Sequence, residues 1–130
     1  MGILLMLHSV VRWIIVIVGV IALVKFVIGL VQKSAFGKMD RGLSSGFSGL
    51  MDLQVTLGLL YFLITGFGGV GFPPYRIEHA VTMIIAAGVA HVPSMFKKAN
   101  NKYGVALGAV VGALVLVYLG VSFLPGGWSR

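Results

Sequence analysis

The sequence predicts an all-α protein: a four-helix transmembrane bundle, up-down-up-down, with both termini outside. Three observations predict it. Of 130 residues, 58% are hydrophobic and 10% charged, against about 45–50% and about 25% in an average soluble domain. Polar or Gly/Pro punctuation marks off four apolar stretches, about 3–32, 45–66, 77–96 and 103–124, each long enough for the ~20 residues that a spanning helix consumes. Basic residues gather in two of the three connections. Four spans take about 80 residues and leave about 50 for ends and connections, so residues 1–130 read as one integral membrane domain without a soluble catalytic one.

The first stretch carries no basic leader and no Ala-x-Ala site, and it contains His8 and Arg12. It is therefore expected to insert as a mature helix rather than to be removed as a signal peptide. The connection after it, Gln32 to Gly42, is polar and basic. The second helix carries Asp52, Gln54, Thr56, Tyr61 and Thr65, and the connection from Gly66 to Tyr75 is rich in glycine and proline, as loops are. The third helix carries Arg76, Glu78, His79 and His91. The basic connection Lys97 to Lys102 is short, which predicts an antiparallel hairpin with the fourth helix. There Gly104, Gly108 and Gly112 form a small-residue stripe suited to close helix packing.

The net charge of +7 reports topology rather than nucleic-acid binding. Lys33, Lys38, Arg41, Lys97, Lys98 and Lys102 lie in connections one and three, while the opposite side has Arg76, Arg130 and Arg12. By the positive-inside rule, connections one and three face the cytoplasm. The expected partner is the lipid bilayer, with no nucleic acid. The absence of cysteine excludes disulfides, iron–sulfur clusters, thiolate-ligated haem and covalent haem attachment.

Polar residues inside a bilayer are costly and normally face the bundle interior, so the few present locate function. His8 and His79 each precede an apolar run on helices one and three, which point the same way and form a diagonal of the expected bundle. With sides of about 10 Å, that diagonal is about 14 Å, room for a haem plane with one axial imidazole from each side. Gly19, Met83, Ala86 and Ala90 are expected beneath the two histidines, and Arg12 or Arg76 near the propionates. Arg12 reads equally as an interfacial anchor. His91 lies about 18 Å along the axis from His79 and cannot share its iron. It falls at a depth similar to that of Asp52, and an imidazole–carboxylate pair there would orient a quinone headgroup, relay a proton, or serve as a structural hydrogen bond.

Other readings stand beside these. Lys25 is expected to snorkel to the cytoplasmic side, and Trp13 and Trp128 to sit in interfacial belts. His8 and His79 with Met6 and Met83 form a soft donor set for Cu(I). A cofactor-free accessory subunit would use the same polar residues only to lock helices together.

His8-Ser9-Val10-Val11-Arg12-Trp13, then Asp52-Leu53-Gln54 with Leu57-Gly58 and Tyr61-Phe62, then Glu78-His79 with Met83 and His91, closely resemble small four-helix bacterial membrane proteins labelled cytochrome b-like. The resemblance covers nearly the whole chain and departs chiefly at the glycine-rich second connection. It implies residence in the bacterial cytoplasmic (inner) membrane and a b-type haem or quinone-linked redox role. Together with the residues, it leads us to expect an electron-transfer subunit of a larger respiratory or photosynthetic complex.

Overall fold

The computed structural model describes residues 2–33, 35–95 and 102–125; Lys97, Lys98, Trp128 and Arg130 lie outside them. Every regular element among the described residues is helical. They are α1 (Gly2–Gln32), α2 (Lys38–Thr65), a π-turn (Gly66–Val70), α3 (Pro74–Ala90), α4 (Val92–Met95) and α5 (Lys102–Ser122). Three segments, Gly2–Gln32, Lys38–Val70 and Lys102–Ser122, are long and apolar enough to cross a membrane, which defines a multi-pass membrane protein. At 17 residues, or about 26 Å, α3 is shorter.

Within the bundle, α1 packs on α2 and α5, and α3 packs on the same two, leaving α1 and α3 across a diagonal. The core is built from small side chains, with Ala22, Ala86, Ala106 and Ala113 fully buried beside Phe26, Phe47, Ile15 and Met51. Small residues let backbones approach closely, and dispersion then replaces the hydrophobic drive that lipid cannot supply. The outer surface carries Ile14, Ile17, Ile21 and Val24 of α1 and Ile84 and Ile85 of α3 exposed, more apolar area than a soluble monomer shows.

Helix boundaries depart from the sequence reading in two places. The second helix begins at Lys38, not near 45, because Asp40 caps it: its carboxylate accepts the Gly37 N–H at 2.9 Å. The same carboxylate accepts from Lys25 Nζ at 2.8 Å and from the Tyr103 hydroxyl at 2.7 Å. Lys25 reaches toward the end of the bundle where α2 begins and joins α1 to that start. The third helix breaks at His91, whose own N–H donates to Gly88 O at 3.1 Å. Pro93, two residues on, has no N–H to give and crowds the preceding turn.

The glycine-rich connection becomes a π-turn in which the Gly71 N–H donates to Gly66 O at 3.1 Å. Gly69 and Gly71 have φ of 119° and 78°, values that only glycine adopts without strain. Pro74 then opens α3 at its first position, where a missing N–H costs nothing. On α5 the buried face is alanine-rich, with Ala106, Ala109 and Ala113. The predicted glycine stripe does not line the bundle throughout, since Gly108 is exposed with open space where a Cβ would stand.

Candidate functional site

At the end of the bundle where α1 begins, all the long helices contribute to a cavity of about 170 Å³, lined by His8 and Arg12 of α1, Gln54 and Gly58 of α2, Arg76 and His79 of α3, and Val117 and Val121 of α5. The four residues singled out for cofactor binding thus share one cavity.

Each imidazole is positioned by a neighbouring helix. Gln54 Nε2 donates to the His8 carbonyl at 2.8 Å, pinning α1 to α2 beside the ring. Gly58 makes room for that ring, because a Cβ there would lie 3.0 Å from His8 Cε1. His8 Nδ1 is buried without a hydrogen-bond partner, an uncommon state that calls for a reason. His79 Nδ1 lies 2.8 Å from Gly120 O and must be the donor, since a carbonyl only accepts. A backbone carbonyl holding one ring nitrogen is how proteins orient imidazole ligands so that the other nitrogen keeps its lone pair. Across the cavity, the His8 and His79 ring centroids are 6.4 Å apart with planes at 75°.

That spacing can be tested against a shared metal. Metal–imidazole bonds of about 2.0–2.1 Å on opposite sides of one ion put the ring centroids about 6 Å apart, so the observed 6.4 Å fits. His8 and His79 would be the two protein donors to a haem iron here, whereas a bare zinc takes three or four protein ligands. The ring spacing is compatible with two imidazoles on one metal. The volume admits haem only with movement: about 170 Å³ lies below the ~300 Å³ at which pockets for drug-sized ligands begin, so a porphyrin requires the lining side chains to part. For copper, Met83 lines the cavity but Met6 does not and is 58% exposed, which removes one of the two soft ligands considered.

One expectation about this site is corrected. Gly19, Ala86 and Ala90 do not line the cavity. A Cβ at Gly19 would instead meet Leu114 and Phe47, deeper in the bundle, and the small residue at the histidines is Gly58. Arg76 is engaged by the second connection, donating to Gly71 O and Thr65 Oγ1, each at 2.6 Å, and to Phe62 O at 3.4 Å. Arg12 is buried beside the histidines, its guanidinium carbon 5.3 Å from the Trp13 ring centroid. The signal for Gly58 lay in its place one turn past Gln54, on the same face.

Asp52 and His91 meet directly: His91 Nε2 is 2.9 and 2.8 Å from the two carboxylate oxygens. The break before Pro93 ends α3 at His91. The pair lies on the outer face of the bundle, with side chains 38% and 54% exposed for His91 and Asp52 respectively, not in an enclosed inner site.

Fold and site thus define the class, a multi-pass α-helical membrane protein with a paired-imidazole cavity at one end. Comparison of the chain with family models, curated proteins and solved structures returns no match.

Proposed function

We propose that the chain is a membrane electron-transfer subunit of the b-type cytochrome kind. In this reading it runs up-down-up-down in a bacterial cytoplasmic membrane with both termini outside. His8 and His79 hold one noncovalent haem b near the outer surface, and the subunit serves a larger respiratory or photosynthetic complex. The observation that carries the proposal is the 6.4 Å spacing of the two imidazoles across a cavity between diagonal helices. Haem, when bound, supplies one-electron chemistry that no side chain here provides. The chain's residues do the rest. Gly120 O fixes the tautomer and direction of His79. Gly58 and Gln54 set the His8 ring, and Arg12 offers a buried positive charge to propionates. Val117 and Val121 give the cavity an apolar wall.

A second reading concerns the Asp52–His91 pair, supported by their direct hydrogen bond on a lipid-accessible face. A quinone headgroup arriving from the bilayer could exchange a proton with this imidazole–carboxylate unit. The test of the main proposal is the visible and low-temperature EPR spectrum of the protein purified from a haem-replete host. Low-spin bis-imidazole haem is expected, lost in His8→Ala and in His79→Ala and kept in His91→Ala. A colourless protein that takes up no haem on titration would leave the cofactor-free accessory subunit as the reading.

A further inference from the structure

A second cleft, of about 420 Å³, opens at the end of the bundle opposite the histidines, between the start of α2, the end of α3 with α4, and the start of α5. We propose that it binds a phosphate-bearing anion, the chemistry shared by an anionic phospholipid headgroup and free phosphate.

The cleft exists because α2 starts early. Arg41, Ser44, Ser45 and Ser48 recur at helical spacing and line it together, and all four precede or straddle the boundary that apolar patterning alone would draw. The length of α2 sets their level. Its 28 residues span about 42 Å, against about 30 Å of hydrocarbon. The excess of about 12 Å lies at the helix ends, and the start, with Lys38 and Arg41, is the charged one suited to the headgroup region.

The lining has the donors an anion needs. Arg41 and Lys102 bring two cations from different helices to one cleft. Arg41 Nη1 donates to Phe36 O at 3.2 Å, which steadies the guanidinium and uses one of its five N–H donors. Among the described residues, the Ser44 and Ser45 hydroxyls have no hydrogen bond within the chain, whereas Ser48 and Ser94 donate to backbone carbonyls. The nearby acids are already engaged: Asp40 by Lys25 and Tyr103, and Asp52 by His91. The cleft is therefore basic and hydroxyl-lined. It shares no residue with the histidine cavity, while His91 of the Asp52 pair also lines it.

The experiment places the full chain in phosphatidylcholine nanodiscs and reads the relative association constant of spin-labelled phosphatidylglycerol by EPR. A second arm titrates inorganic phosphate into discs of phosphatidylcholine alone. With each basic contact worth about fivefold in association at a membrane surface, Arg41→Gln and Lys102→Gln should each reduce binding by about that factor. Lys33→Gln, at the same end but outside the cleft, should change it less than about twofold. Arg41→Lys keeps the charge and should restore most of the loss, separating binding from folding. Preference for phosphatidylglycerol with this variant pattern supports a lipid occupant. The same pattern with inorganic phosphate supports a free anion. Equal loss in all three Gln variants, or no binding in either arm, overturns the site.

Discussion

Gly58→Ala separates the histidine site from the fold that carries it. A Cβ at position 58 would stand 3.0 Å from His8 Cε1 and 3.5 Å from Nδ1, where carbon contacts settle at about 3.5–4.0 Å, so the ring must retreat by about 0.5 Å. The retreat goes into ring rotation, because Gln54 holds the His8 carbonyl at 2.8 Å. Metal and cofactor constellations tolerate only about 0.5 Å and 10–20° of misplacement. Disturbing the support of a ligand typically costs about 10–100-fold in affinity, and haem association should fall by about tenfold here. The helix itself gains, since alanine is favoured over glycine by roughly 0.8–1.0 kcal/mol in a helix interior. The assay is a Soret titration of apoprotein in detergent, paired with thermal unfolding of the same samples. Gly49→Ala, on the same helix with open space at its Cβ, is the control. Wild-type haem affinity in a folded Gly58→Ala protein would refute the placement of His8 as a ligand. A parallel fall in unfolding temperature would refute the separation of site from fold.

Other expectations are equally open to measurement. Asp40→Ala removes the α2 cap and leaves the Lys25 ammonium and the Tyr103 hydroxyl without their shared acceptor, so its unfolding temperature should fall clearly below that of Asp52→Ala, whose site is exposed. Gly29→Ala drives a methyl into the Tyr103 ring, and overpacking of this kind costs about 1–3 kcal/mol, readable as earlier unfolding; an unchanged midpoint would show that the ring can move aside. Asp52→Ala and His91→Ala should be non-additive in unfolding midpoint, as for residues in direct contact, and strict additivity would dissolve the pair. For topology, single cysteines at positions 38 and 74 should be protected and labelled, respectively, by an impermeant reagent applied to intact cells, and the reverse pattern would invert the proposed orientation.

Much of the site was legible before the fold was known, for a simple geometric reason. An α-helix rises about 1.5 Å per residue, so sequence number converts to depth once the ends of a span are marked. That conversion placed His8 with His79 and Asp52 with His91, and the structure brings both pairs together. Depth does not give rotation. Which residue of α2 would face the His8 ring depended on how α1 and α2 turn against each other, so Gly58, which the sequence shows only as part of a motif, was not placed at the ring, while Gly19, Ala86 and Ala90 were expected there. The third apolar stretch reads straight through Pro93 to about residue 96, and the end of α3 at Ala90 emerged only with the fold.

By itself the sequence determined the solvent and the element type. A chain this apolar must satisfy its backbone internally in lipid, and helices do so within one segment. Its polar residues could then be counted and ranked by depth. Only the tertiary structure decided how those residues spend their hydrogen bonds: Arg76 on the π-turn, Lys25 on Asp40, His79 on Gly120. It also decided that α2 starts at Lys38 and so raises a basic, serine-lined face beside α5. Such partners come from segments distant along the chain, and their meeting is set by helix rotation and close packing, which no single helix encodes.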